Sequence, residues 1–192
     1  YAIVGMRSID NGHTFNNTGL NIPEGKFYPL SLQYRKYTAN GENVRKESIA
    51  GDILKDGSVQ NRSYYGESSI IANEYDLDTF LNTVEAVKES GKDIPIIVAM
   101  KADNPIIMSE FEKEGDAIVV GFSVSDQALF EIILGKQEPK GLLPIQFPAN
   151  MDTVEAQFED VAHDVTPYVD SVGNKYDFAY GLNYSGVIKD TR

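Results

Sequence analysis

The sequence contains no cysteine, so neither a disulfide framework nor a thiolate metal site is available to it. Basic residues are scarce: 17 Lys and Arg stand against 29 Asp and Glu, a formal net charge of −12. A surface of that sign repels phosphate backbones and anionic bilayers, which argues against nucleic acid and membrane partners. No apolar run approaches the roughly 20 residues that cross a bilayer. Internal repeats and low-complexity segments are also absent. At 192 residues the chain is long enough for one sizeable core and short for two, so a single domain over residues 1–192 is expected. It opens at Tyr1 without an initiator Met or a leader-like segment, and its first residues, YAIVGM, already read as a core strand. The expectation is a soluble piece of a longer polypeptide, cytoplasmic or from a secreted enzyme without disulfides.

Several chemical motifs are missing too. Gly121 alone is far short of a phosphate-cradling loop, which weakens a nucleotide-binding, flavodoxin-like alternative. GFSVS, residues 121–125, lacks the second Gly of a nucleophile elbow. Of the two histidines, His163 stands at ligand spacing from Asp160 and Asp164 but in a loop-like stretch, and His13 has only Asp10 nearby. Neither a metal site nor a cofactor is therefore expected.

What is present centres on residues 93–148. Residues 94–100 form a nearly unbroken apolar run, which predicts a strand covered on both faces. A short helical segment follows, then a second apolar run over residues 117–121. Ser125 can cap a helix whose Ala128, Leu129, Ile132 and Ile133 recur at helical spacing before Gly135 stops it. Upstream, Leu77, Phe80, Leu81, Val84 and Val87 form one stripe of a helix with Asp76 as cap and Gly91 as stop, exposing Glu85, Lys88 and Glu89. Alternating strands and helices predict an α/β fold, a mostly parallel sheet sandwiched by helices in three layers. Residues 7–73 carry no sustained period; LSLQYRKY, residues 30–37, alternates and is a candidate strand. After Pro148, Thr153 can cap a short helix to Gln157, a surface excursion follows, and residues 176–180 return as an extended segment. Residues 189–192 read as a frayed terminus.

KADNPIIMSEFEKEGDAIVVGFSVSDQALFEIILGKQEPKGLLPIQFP resembles the second domain of glycoside hydrolase family 3, the β-glucosidase group. The shared pattern is a strand leading to Pro, an Asp-Ala-Ile strand, a helix ending in Gly, and a Leu-Leu-Pro segment closing on Phe-Pro. The tail adds to it: residues 176–184, YDFAYGLNY, are similar to the family's closing Phe-Gly-Tyr-Gly-Leu-Ser-Tyr, with Ala179 where Gly is usual. The likeness covers residues 94–184 well and residues 1–73 poorly. It implies an α/β-sandwich domain truncated at its N-terminal side, with a barrel domain of the same polypeptide preceding it. It also implies retaining hydrolysis of a terminal β-linked sugar, so a β-glycoside would be the substrate.

In an open parallel sheet, ligands bind beyond the carboxyl ends of the strands. Those ends are expected at residues 6–8, 100–104 and 121–126, and after Phe147; residues 7–73 leave the first and are the best place for a site. Glycoside hydrolysis needs two carboxyl groups, about 5 to 5.5 Å apart in a retaining enzyme. The resemblance places the nucleophile on the barrel and the acid/base on a loop of this domain, so this chain alone is expected to be inactive. Loop carboxylates are Asp10, Glu24, Glu42, Glu47, Asp52, Asp56 and Glu67. Glu67 is favoured because Arg62, Tyr64, Tyr65 and Gly66 surround it: rings stack on a sugar's apolar face, Arg donates to hydroxyls, and Gly allows close approach. The plainer alternatives are a solvated Glu67 and tyrosines packed under the loop. Asp103 and Asn104 could bond a sugar, although turn chemistry before Pro105 explains them as well. A non-catalytic carbohydrate-binding or scaffolding domain of the same fold is the alternative function.

Overall fold

The computed structural model describes residues 1–12, 20–21, 26–48, 51–158 and 160–189. Strand β1 (Ala2–Arg7) is followed by a two-residue antiparallel pair, β2 (Leu20–Asn21) and β3 (Lys26–Phe27), and then by helix α1 (Glu74–Ser90). Next come β4 (Ile96–Ala102), two 3-10 turns (Met108–Glu110 and Glu112–Glu114), β5 (Ala117–Phe122) and α2 (Asp126–Ile133). Helix α3 (Met151–Glu155) and a hairpin of β6 (Leu182–Asn183) and β7 (Gly186–Val187) complete the order. The main sheet has three strands in the order β1-β4-β5, both pairs parallel, as the alternation of elements predicts.

In-register partners Val4, Val98 and Ile118, then Met6, Met100 and Val120, share one face, because side chains alternate across a strand. Leu77, Phe80 and Val84 of α1 pack onto that face, and Phe111, Phe147 and Tyr168 join the same core. Burying one such side chain stabilises the fold by about 1.5–3 kcal/mol. The opposite face carries Gly121, whose missing Cβ leaves room for Leu129 of α2; an added Cβ would stand 2.9 Å from Leu129 Cδ2. Helices therefore lie on both faces, but α2 has only eight residues and reaches β5 and the near part of β4. β4 is covered on both faces as expected, though less on this one: Ile97 and Ala99 are half-buried, and Lys101 at its end and Gly5 of the neighbouring β1 are exposed.

Four local expectations are corrected. Helix α1 starts at Glu74, two residues before Asp76, with Asn73 at the cap position. Asp76 is instead taken by Arg7, and the Asn73 side chain binds Asp10 N–H and the Ser8 carbonyl. Residues 30–37 form bends, not a strand, because the N–H groups of Tyr34 and Arg35 donate to the Glu110 carboxylate in place of a ladder. Helix α3 is capped by Asn150, whose Oδ1 accepts from Thr153 N, so Thr153 lies inside it. Residues 176–180 are extended only in part, since Phe178 and Ala179 form a turn. By contrast, Ser125 caps α2 through Ala128 N, and Gly91 ends α1 in the left-handed conformation, both as expected. Among the described residues no helix is long and apolar enough to cross a membrane.

Candidate functional site

The described part of residues 7–73 is bound to the carboxyl ends of β1 and β4. Ser8 N donates to the Lys101 carbonyl, Asp103 N to Ser8 Oγ at 3.0 Å, and Ile107 N to the Leu32 carbonyl at 2.8 Å. Asn11 and Ser31 exchange two bonds, and the buried Tyr34 hydroxyl donates to the Arg7 carbonyl. The region is therefore held where an open sheet receives ligands.

Within it, residues 37–39 lie antiparallel to residues 66–69. Ala39 N donates to Glu67 O at 2.9 Å, Gly66 N to Ala39 O at 2.7 Å, and Ser69 N to Tyr37 O at 2.8 Å. Thr38 and Ser68 pair across this short ribbon, their hydroxyls 2.8 Å apart. Gly66 stands at φ +83, a conformation that favours glycine, and so lets the chain turn immediately before Glu67.

The Glu67 carboxylate lies 3.0 Å from Lys26 Nζ and its side chain is 32% exposed. Tyr65 is exposed, with the Lys46 ammonium 5.0 Å from its ring centroid. Tyr64 is half-buried, and its hydroxyl donates to Glu155 Oε2 at 2.9 Å. Burial, with Glu155 adding to it, pushes that hydroxyl above the ordinary phenol range. The Arg62 guanidinium is engaged by Asp52 at 2.6 Å and by Gln60 at 3.0 Å. Ribbon and turn thus bring Tyr64, Tyr65 and Glu67 together, with Arg62 just upstream. Asp103 is exposed beside Ser8, and among the described residues no hydrogen bond or ion pair connects it to Glu67.

The remaining loop carboxylates are spread out. Asp10 accepts from Gly12 N, a local turn contact. Asp56 accepts both the N–H and the hydroxyl of Ser58, bonds that hold its carboxyl below the usual range, the hydroxyl foremost. Glu47 is exposed, and Glu24 and His13 lie outside the described residues. Ser125 serves as a helix cap and Asp126 pairs with Lys101. Ser123 in GFSVS adopts φ +53 and is exposed. His163 and Asp160 are exposed, and Asp164 accepts from Phe158 N. Among the described residues no three His, Asp or Glu converge on a metal position.

Sequence reasoning missed Glu155. From the end of α3 it accepts the Tyr37 hydroxyl at 3.1 Å as well as that of Tyr64. With Gly41, Glu42, Asn43, Val44 and Asp152 it lines a cleft of about 310 Å³. A larger cavity of about 550 Å³, lined by Val154, Gln157, Phe158, Asp160, Val161 and Ala162, includes none of the predicted site residues. No local pattern marks Glu155, because its partners precede it by 91 and 118 residues.

A parallel sheet with helices on both faces and a carboxylate- and tyrosine-bearing loop at its carboxyl end defines an α/β-sandwich domain with its candidate chemistry on that loop. The model of the glycosyl hydrolase family 3 C-terminal domain matches residues 57–184, and the chain belongs to that family. It is 30% identical over 92 residues to the probable beta-glucosidase C of Aspergillus flavus, and 30% identical over 91 residues to the beta-glucosidase C of Emericella nidulans. It is 28% identical over 98 residues to the periplasmic beta-glucosidase/beta-xylosidase of Dickeya chrysanthemi. These matches cover 47% to 51% of this chain and 14% of each relative. No solved structure matches the chain.

Proposed function

We propose that this chain is the C-terminal domain of a β-glucosidase-like retaining glycoside hydrolase. In this reading it forms one wall of a carbohydrate site, shared with a barrel domain of the same polypeptide that holds the nucleophile. The observation that carries the reading is the family match, whose span of residues 57–184 includes Arg62, Tyr64, Tyr65, Glu67 and Asp103. The names of the relatives support a terminal β-linked sugar as substrate.

Glu67 is the acid/base: it protonates the departing oxygen, then removes a proton from the incoming water. The exposed ring of Tyr65 offers a stacking surface for the sugar's apolar face. Arg62 and Asp103 would donate to and accept from sugar hydroxyls, Arg62 only after loosening its contact with Asp52. Tyr64 fits a supporting role better than direct contact, since its hydroxyl is already committed to Glu155. The engagement of Glu67 by Lys26 and of Arg62 by Asp52 favours one second reading, a carbohydrate-binding or scaffolding domain without chemistry.

The test is Glu67→Gln in the full-length protein. On β-glucosides with poor leaving groups the loss should be about 10²- to 10⁴-fold. Aryl glycosides that depart without a proton should lose far less in kcat/KM, which reports glycosylation, while their kcat still falls because the water that releases the sugar loses its base. An equal loss of kcat/KM on both substrate types moves the acid elsewhere, and unchanged kcat and kcat/KM on both favour the scaffolding reading. Turnover of a chromogenic β-glucoside by this chain alone would overturn the divided site.

A further inference from the structure

We propose that Glu155 is a positioning residue for the loop that carries Glu67; this inference rests on the reading of Glu67 as acid/base. Helix α3 is itself well anchored: Met151 is buried, Asn150 caps the first turn, and Thr153 Oγ1 accepts from Thr166 N at 2.9 Å. The Glu155 carboxylate projects from the end of this helix and accepts one hydroxyl on each oxygen, Tyr37 on Oε1 and Tyr64 on Oε2. Tyr37 opens one side of the ribbon of residues 37–39 and 66–69, and Tyr64 opens the turn that leads into the other side. Glu67 sits between those two attachment points, its N–H on the Tyr64 carbonyl and its carbonyl on Ala39 N.

A two-stranded ribbon this short is marginal on its own. Two charge-assisted bonds, each stronger than a neutral one, fix both ends of it to an element seated in the core. Proton transfer to a leaving oxygen needs the donor within hydrogen-bond reach, and a misplacement of about 1 Å can cost on the order of 10²-fold in rate. Glu155 thus acts through Glu67 and does not touch the sugar.

The experiment uses the full-length protein with Glu155→Ala, Glu155→Gln, Tyr64→Phe and Glu67→Gln, singly and with Glu155→Ala and Glu67→Gln combined. Glu155→Ala should lower kcat on a poor-leaving-group β-glucoside by about 10- to 100-fold with KM little changed. It should also speed amide exchange at Ala39, Gly66 and Ser69. Glu155→Gln, which still accepts one hydroxyl and can donate to the other, should recover most of the rate, and Tyr64→Phe should give an intermediate loss. In the Glu67→Gln background, Glu155→Ala should cost little more, because the residue it positions is gone. Additive losses in the double variant, or amide exchange equal to wild type in Glu155→Ala, would overturn the inference. If Glu155→Ala does not fold, Tyr64→Phe carries the same two readouts and decides it. Full activity of Glu67→Gln would sink the acid assignment and the kinetic half of the inference, whereas the exchange data would still judge the attachment of the ribbon to α3.

Discussion

The hydroxyl of Tyr34 donates to the carbonyl of Arg7, joining the middle of the long loop to the last residue of β1. Tyr34 is fully buried, and its ring meets Phe111 edge-on at 6.1 Å, so this contact ties loop, strand and core at one point. Burial pushes the hydroxyl far above the ordinary phenol range, so it remains a donor at any working pH.

Tyr34→Phe keeps the ring and removes the donor. The Arg7 carbonyl then loses a buried partner, and the fold should be destabilised by about 1–3 kcal/mol. Urea unfolding should show a lower midpoint at unchanged slope. A midpoint equal to wild type would mean that the bond adds nothing.

Glu110 gives a pH dependence of definite sign. Its carboxyl is held above its ordinary value because burial outweighs the N–H groups of Arg35 and Tyr34. Just above the ordinary carboxyl value, about 4.3, the native state still holds a proton that the unfolded chain has released. The contribution of this group to stability is therefore full below that value and is lost as pH rises through the folded one. Glu110→Gln does not titrate, so its stability relative to wild type should improve as pH rises from about 4. Unfolding free energies of both proteins across that range check it; a flat or opposite trend would refute the assignment.

Ala179 occupies φ +65, at the position where the resembling family usually has Gly. A Cβ in the left-handed region costs about 1–2 kcal/mol, offset in part by the greater unfolded-state freedom of Gly. Ala179→Gly should stabilise the protein by about 1 kcal/mol and raise its melting temperature by a few degrees. A decrease on substitution would show that the turn carries no strain.

Much of the scaffold was legible because the signals that specify it are local. The apolar runs of β4 and β5, the stripe of Leu77, Phe80 and Val84, and the Ser125 cap all lie within a few residues of what they determine. Errors arose where a side chain with local meaning was claimed by a distant partner. Asp76 looked like a helix cap and was taken by Arg7, 69 residues earlier. Residues 30–37 looked like a strand until Glu110, 76 residues after Tyr34, satisfied their backbone. The candidate site was half legible: NRSYYGES marked Glu67 and its tyrosines, while nothing nearby pointed to Glu155.

The sequence by itself determined that a parallel α/β sheet would form, that its helices would begin and end near certain residues, and that a polar, tyrosine-bearing loop would leave β1. Hydrophobic period and capping are short-range properties of a chain, and they need no partner to be read. Only the tertiary structure decided which carboxylates hold the loop in place and where Glu67 comes to rest. Those contacts join residues 69 to 118 positions apart, and which partner reaches which depends on how the packed core orients the elements that bear them.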